Sequence, residues 1–481
     1  MKKINLSSKK YDVVIVGAGT AGLAARSEVK KHTDSYLVID NGPLGTTCAR
    51  VGCMPSKVFI EAANAFYQST KYTQIGVSGA ELLKVDTVKL MEHVRALRDR
   101  FVRGVLRDIE EWKDTHFYEG RAKLLGPHLL EVNGQRVEAN KIILATGSST
   151  SIPEMWRPLS HKFLTSDNFF EIKQLPKSMA VIGAGVIGLE LAQAAAKIGT
   201  KVTLFGFGSS IAGITDLEIL ESIRVKLNQE MSLVEEPVET FEEQGDGFVV
   251  KTKTNSYSVD QVLVAVGRKP NISQLGLENL GVKLDQRGLP SIDPKTCRIE
   301  GTDVYMAGDA HSYLPLLHEA SDEGRIAGFN AVRPEDHKFT RRIKMTITFS
   351  HPNISVVGLS WKGLEASGTA FASGKVNFEK QGRALAKMDN YGLLKVFADQ
   401  KSGLLLGAEI FAPEGEHLAH ILASAIESKL TVAELLTRPF YHPVIEEGLR
   451  TALRDLSRQV GQKCSEFDLL RCEDPAAGSF V

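Results

Sequence analysis

The chain twice runs through the same order of apolar and polar positions. From Tyr11, "YDVVIVGAGTAGLAARSEVKK" passes from a short apolar run through a glycine-rich turn into an alanine-rich stretch of helical length. Hydrophobic patterning predicts a buried strand, a turn and a helix. The next apolar run, "SYLVID", predicts a second strand ending at Asp40. Far downstream, "KSMAVIGAGVIGLELAQAAAKIGTKVTLFGFG" repeats strand, turn, helix and strand. No uninterrupted apolar stretch reaches the roughly 18 residues of a membrane-spanning helix, so none is expected. The positive start, "MKKINLSSKKYDVVIVGAG", leads into the first glycine turn rather than a small-residue cleavage site, and reads as the first β-strand.

The glycine spacing adds chemistry to this pattern. Gly17-x-Gly19-x-x-Gly22 lies between strand and helix, where glycines permit a tight turn, close approach of a pyrophosphate and close helix packing. The helix N-terminus adds partial positive charge. Asp40 lies about 20 residues on, where a carboxylate meets a ribose hydroxyl. Gly183-x-Gly185-x-x-Gly188 repeats the signature, so two dinucleotides that exchange electrons are expected. The second copy lacks one part. Gly206 stands where an acid would hold the adenine ribose of NAD, and no arginine follows closely for the 2′-phosphate of NADP. NAD and NADP therefore both stay open.

At 481 residues the chain is long enough for three domains. Lysines plus arginines number 58, as do aspartates plus glutamates, so no general attraction to nucleic acid or anionic membrane follows. Five cysteines are too few and too odd a number for a secreted disulfide framework, and a cytoplasmic setting is expected. There the close pair in "CARVGCMPSK", Cys48 and Cys53, points to redox chemistry or metal binding. Zinc sites use closer cysteine spacing and four ligands, and no second Cys/His cluster lies nearby, so no metal is expected. In an ideal helix, residues five apart have Cα atoms about 8.7 Å apart, beyond the roughly 7 Å limit for a disulfide. Bridging requires a distorted turn, and Gly52 and Pro55 favour one. A helix N-terminus and the Lys57 ammonium would ease thiol ionisation.

Together these stretches resemble the class I pyridine nucleotide:disulfide oxidoreductase family, which contains lipoamide dehydrogenase, glutathione reductase and mercuric reductase. "GTTCARVGCMPSK" resembles its redox-active disulfide motif. "ILATGSSTSIP" resembles the strand that closes the FAD site, "VLVAVGRKPN" the exit from the NAD domain, and "VYMAGDA" with "LPLLHEASDEG" the second FAD segment. "FYHPVIEEGL" resembles the C-terminal His-Pro motif. The resemblance covers nearly the whole chain and is nearest to lipoamide dehydrogenase. It implies an α/β fold of two Rossmann-like dinucleotide-binding domains plus a C-terminal α+β dimerisation domain. FAD would bind 1–147 and 273–340, NAD(P) 148–272, and 341–481 would form the interface of a homodimer.

The same resemblance assigns roles. Cys53 would lie beside the flavin, and Cys48 would exchange with a dithiol or disulfide substrate, a lipoyl domain among the candidates. His442, from the other subunit, would be the base, oriented by Glu447, although spacing admits Glu446 equally. Pro443 would fit the first turn of the carboxylate's helix. Lys57 would sit by the flavin N5 with Glu190 as its partner. Thr47, Thr146, Gly147, Asp309, Leu317 and His318 would contact FAD, Asp309 through a ribityl hydroxyl, and Gly267 would belong to the nucleotide site.

Some positions depart from the pattern. Phe440-Tyr441 replaces the usual His-Ala, Val444 a threonine, and Arg50 an uncharged residue, all on the substrate side. Mercuric reductases carry a vicinal C-terminal cysteine pair, whereas Cys464 and Cys472 are eight apart and read as free thiols. Cys297 reads as a small buried residue. The alternatives are another disulfide reductase, including a mercuric-reductase-like one, and a non-catalytic, redox-responsive FAD-binding subunit.

Overall fold

The computed structural model describes Leu6 and residues 10–206, 208–311 and 313–461. Cys464 and Cys472 lie outside the described residues.

The first module begins with β1 (Lys10–Val16), α1 (Thr20–Val29) and β2 (Tyr36–Asp40). Two helices follow, α2 (Thr47–Val51) and α3 (Cys53–Ser69), then the long α4 (Thr87–Glu110). Strands β3 (Phe117–Glu119), β4 (Ala122–Gly126), β5 (Leu129–Val132) and β6 (Gln135–Leu144) complete a sheet ordered β3-β2-β1-β6-β5-β4. The strands from β3 to β6 are parallel, whereas β4 and β5 fold back antiparallel. Both faces of β2 and of β1 from Val13 onward are covered, which is why these stretches read as apolar runs rather than alternating ones.

An antiparallel ribbon separates the modules: β7 (Ser148–Thr150) later pairs with a returning strand. The second module holds β8 (Ser178–Ile182), α5 (Val186–Lys197), β9 (Lys201–Phe205), α6 (Leu217–Glu230) and β10 (Ser232–Val234). A three-stranded antiparallel layer, β11 (Val238–Gln244), β12 (Gly247–Thr252) and β13 (Ser256–Val259), precedes β14 (Gln261–Val264). The parallel sheet runs β10-β9-β8-β14. The chain then returns through β15 (Arg268–Pro270), the partner of β7.

Next, β16 (Val304–Met306) joins β6 of the first sheet, and α7 (Leu317–Ala331) lies on α1. The approach is close because glycines face alanines. A Cβ at Gly324 would stand 2.1 Å from Ala21 O, and one at Gly328 would stand 2.5 Å from Ala25 O. The final module is a five-stranded antiparallel sheet ordered β17-β18-β21-β20-β19. Its strands are β17 (Met345–Thr348), β18 (Asn353–Gly358), β19 (Phe371–Asn377), β20 (Leu393–Asp399) and β21 (Leu405–Ala412). Helices α8 (Gly415–Glu427) and α9 (Glu447–Ser457) bury their apolar faces in the same core. Among the described residues, no helix is long and apolar enough to cross a membrane.

Candidate active site

Thr46 caps α2, its Oγ1 accepting the Ala49 N–H at 3.2 Å. The helix stops at Gly52 (φ −119°, ψ −121°), and α3 restarts at Cys53. A Cβ at Gly52 would stand 3.1 Å from both Cys48 Cα and Thr47 O, so glycine is what lets the two helices meet tightly. This break brings the cysteines together. Hydrogen bonding between the two thiols lowers the Cys53 pKa to about 7 and pushes Cys48 upward. Burial works against the Cys53 thiolate, and the Lys57 charge works for it.

One turn into α3, Lys57 Nζ donates to Glu190 Oε1 at 2.9 Å and Oε2 at 2.7 Å. Glu190 is buried on α5, and its Oε1 also accepts the Phe349 N–H at 2.9 Å. Lys57 Nζ stands 4.6 Å over the Phe349 ring. The pair therefore joins all three modules at one point beside the thiols.

The two glycine turns share one geometry. A Cβ at Gly17 would stand 2.2 Å from Ala145 O, and one at Gly183 would stand 2.4 Å from Ala265 O. A Cβ at Gly22 or Gly188 would stand 1.8 Å from Gly17 O or 1.9 Å from Gly183 O, respectively. Gly19 and Gly185 differ from these: a Cβ there would meet nothing within 4 Å. They leave open space at the N-termini of α1 and α5, where an anion finds free N–H groups. Asp40 accepts Ala18 N–H and Gly42 N–H, both at 2.6 Å, and so ties the first turn to the end of β2. Gly206 at the end of β9 is packed: a Cβ would stand 2.7 Å from Ala184 Cβ.

Asp40, Thr146, Gly147 and Asp309 gather at the carboxyl ends of β2, β6 and β16, where ligands bind open parallel sheets. Ser148 Oγ donates to Asp309 Oδ2 at 2.6 Å. Thr146 Oγ1 is buried without a hydrogen-bond partner among the described residues. Thr47 opens α2, Leu317 and His318 open α7 half-exposed, and Gly267 (φ 115°) leads into β15.

His442 Nδ1 donates to Glu447 at 3.0 and 3.1 Å, and Glu447 is the first residue of α9. Burial raises the Glu447 carboxyl, but His442, the Val444 N–H and the Arg450 charge hold it below its ordinary value. Glu447, not Glu446, meets the imidazole. Pro443 corrects an expectation, because it lies in the turn before α9 rather than in its first turn. The Glu447 side chain takes the Val444 N–H, and Gln381 Nε2 donates to Val444 O, so the backbone here is committed to side chains instead of a helix. His442 is 80% exposed, and none of its or Glu447's hydrogen bonds among the described residues reaches the cysteines.

Sequence comparison fits this geometry. The profile described as pyridine nucleotide-disulphide oxidoreductase matches residues 11–324, and that family's dimerisation domain matches 345–453. The chain belongs to this family. The oxidoreductase is 29% identical to dihydrolipoyl dehydrogenase from Geobacillus stearothermophilus, over 91% of this chain and 94% of that one. It is 27% identical to mercuric reductase from Staphylococcus aureus, over 94% and 83%. The solved HOCl-induced flavoprotein disulfide reductase RclA from Escherichia coli superposes with a TM-score of 0.81 at 23% identity, over 93% and 99%, and shows the shared fold. The oxidoreductase family uses FAD and NAD(P). The open cradles at Gly19 and Gly185 and the orphaned Thr146 hydroxyl fit such nucleotides.

Other supporting residues were not singled out by the sequence reading, although Glu323 and Arg268 lie inside the quoted stretches "LPLLHEASDEG" and "VLVAVGRKPN". Glu323, buried in α7, accepts Gly308 N–H at 2.7 Å and pairs with His311 Nε2 at 2.8 Å and Arg341 Nη2 at 2.9 Å, fixing the turn before Asp309. The acids Glu319 and Glu323, one turn apart on an Ala/Gly-rich helix face, were the available signal. Arg268 contacts Ser148, and Glu409 joins the second and third modules. Cys297 is buried, and burial raises its pKa.

Proposed function

We propose that the chain is an NAD(P)-dependent enzyme of the dihydrolipoyl dehydrogenase type, acting on a dihydrolipoamide-like dithiol through Cys48 and Cys53. The observation that carries this is the helix break at Gly52, which starts α3 at Cys53 against the turn that holds Cys48, one turn before the Lys57–Glu190 pair; there the influence of Cys48 and the Lys57 charge lowers the Cys53 pKa. His442 Nε2 takes the proton of a substrate thiol, while Glu447 holds Nδ1–H and stabilises the charged ring. The resulting thiolate attacks Cys48 of the Cys48–Cys53 disulfide. The S–S bond breaks, a mixed disulfide forms at Cys48, and Cys53 leaves as thiolate, which its low pKa favours. The second substrate thiol then displaces Cys48, giving substrate disulfide and two reduced cysteines. Bound FAD would accept that electron pair and deliver it to NAD(P)+ as hydride.

The outward-facing dyad and the dimerisation domain support a homodimer in which His442 serves a second copy's cysteines. On this reading 1–147 with 273–340 holds FAD, through Gly17, Gly19, Gly22, Asp40, Thr47, Thr146, Gly147, Asp309, Leu317 and His318. Residues 148–272 hold NAD(P) at Gly183, Gly185, Gly188 and Gly267, residues 341–481 form the interface, and the setting is cytoplasmic.

Flavin-replete protein mixed with dihydrolipoamide and NAD+ or NADP+ should form reduced nucleotide. Cys48→Ser should stay yellow and lose the reaction. Transfer to neither nucleotide sinks the proposal.

A further inference from the structure

We infer that Arg268 and Ser148 are positioning residues that hold Asp309 for FAD, making flavin retention depend on the ribbon that carries the second module. The inference rests on the proposed role of Asp309. In the ribbon, Arg268 of β15 stands opposite Thr150 of β7, and Pro270 opposite Ser148. Arg268 reaches diagonally across it. Its Nε donates to Ser148 Oγ at 2.8 Å, and its Nη2 donates to Ser148 O at 2.7 Å. Nη1 points the other way, donating to Ser166 Oγ at 3.3 Å and lying 3.5 Å from Asp167 Oδ1.

The direction of these bonds matters. A guanidinium only donates, so the Ser148 hydroxyl must accept from it. The hydroxyl's one proton is thereby left for Asp309 Oδ2, at 2.6 Å. A hydrogen bond to a carboxylate, backed by a second charged partner, is short and orienting. Asp309 Oδ1 has no hydrogen-bond partner among the described residues, which leaves it for a ribityl hydroxyl. Asp167, Arg268, Ser148 and Asp309 thus form one polar chain from the start of the second module to the flavin side of the first. Asp309 itself stands on the segment after β16, held against α1 by Gly308, whose Cβ would lie 3.0 Å from Ala21 Cβ. A small tilt of the ribbon would therefore move the carboxylate relative to a rigid support.

The test is the rate of FAD release from the purified flavoprotein on dilution, followed by the return of free-flavin fluorescence. Ser148→Ala should release FAD about tenfold faster, the loss of one hydrogen bond to a charged oxygen, and Arg268→Met should also release it faster, up to the same tenfold, because the Ser148 hydroxyl loses the donors that aim its proton at Asp309. The double variant should be no faster than the more damaging single, because both act through one chain. Ser148→Thr keeps the hydroxyl and should hold flavin like the parent, and Arg268→Lys should recover part of the loss. If Asp309→Asn releases FAD at the parent rate, the reading of Asp309 itself fails. If Asp309→Asn accelerates release while Ser148→Ala and Arg268→Met do not, the relay is wrong and that reading survives. Full additivity of the two singles, or loss of flavin by Ser148→Thr equal to that of Ser148→Ala, also overturns the relay.

Discussion

Removing the donor on Cys48 while keeping Cys53 tests the thiol pair directly. In Cys48→Ala the only site thiol is Cys53, and it loses the hydrogen bond that does most to hold its pKa near 7. Against an ordinary thiol near 8.5, that depression corresponds to about 2 kcal/mol. Because Cys53 is exposed in the protomer, we discount this to about 1 kcal/mol for solvent screening. Cys48→Ser is the control, since its hydroxyl still donates. A lowered pKa keeps the thiolate present down to lower pH, and reactivity is lost only as pH falls through that pKa. Alkylation of Cys53 by iodoacetamide, followed by intact mass across pH, should turn near pH 7 in Cys48→Ser and near about 8 in Cys48→Ala. At neutral pH the alanine variant should react roughly threefold to fivefold more slowly. Superimposable profiles would refute both the contact and the poised state of Cys53.

Three further outcomes follow from other parts of the molecule. His442→Gln should slow reduction of the protein by dihydrolipoamide roughly a hundredfold in stopped-flow while flavin content is unchanged, as for loss of a general base; an unchanged rate removes His442 from the chemistry. Glu409→Ala should destabilise strongly. The fully buried Glu409 carboxylate accepts Thr215 N–H (2.9 Å), Asp216 N–H (2.8 Å), Trp361 N–H (2.9 Å) and the Thr215 hydroxyl (2.6 Å). At about 1–3 kcal/mol per orphaned donor the cost exceeds about 4 kcal/mol, so thermal unfolding within about 2 °C of the parent would show that the clamp is dispensable. Gly206→Glu alone should lower thermal stability without raising the rate of flavin reduction by NADH, because its Cβ meets Ala184; adding Ala184→Gly should relieve the strain and favour NADH over NADPH. A stable single variant that already gains NADH preference contradicts this.

Local order along the chain was enough to indicate both glycine turns. Strand, glycine turn and helix are neighbours in sequence, and the turn's geometry depends on backbone groups within a few residues, so the turns at Gly17 to Gly22 and Gly183 to Gly188 could be read directly. The cysteine pair was half legible. Spacing showed that a regular helix would keep the sulfurs apart, but the break at Gly52 and the hydrogen bonding between the thiols come from packing between α2 and α3. Lys57–Glu190 was reachable only through resemblance to a family, since nothing local pairs residues from different modules, while for His442 spacing left Glu446 and Glu447 equal and the fold of the turn before α9 selects Glu447. Pro443 was misplaced because local propensity favours a helix start there, whereas Glu447 and Gln381 capture the backbone first.

By itself, then, the sequence determined what short-range sterics and patterning control: apolar strands, turns that only glycine can make, and a thiol pair needing an irregular bend. The tertiary structure alone decided which distant polar groups satisfy one another. Glu323 under the Asp309 turn, Arg268 on Ser148 and Glu409 across two modules are ordinary charged residues in sequence. Each acquires a role because a buried polar group must find a partner, and only folding determines which partner is within reach.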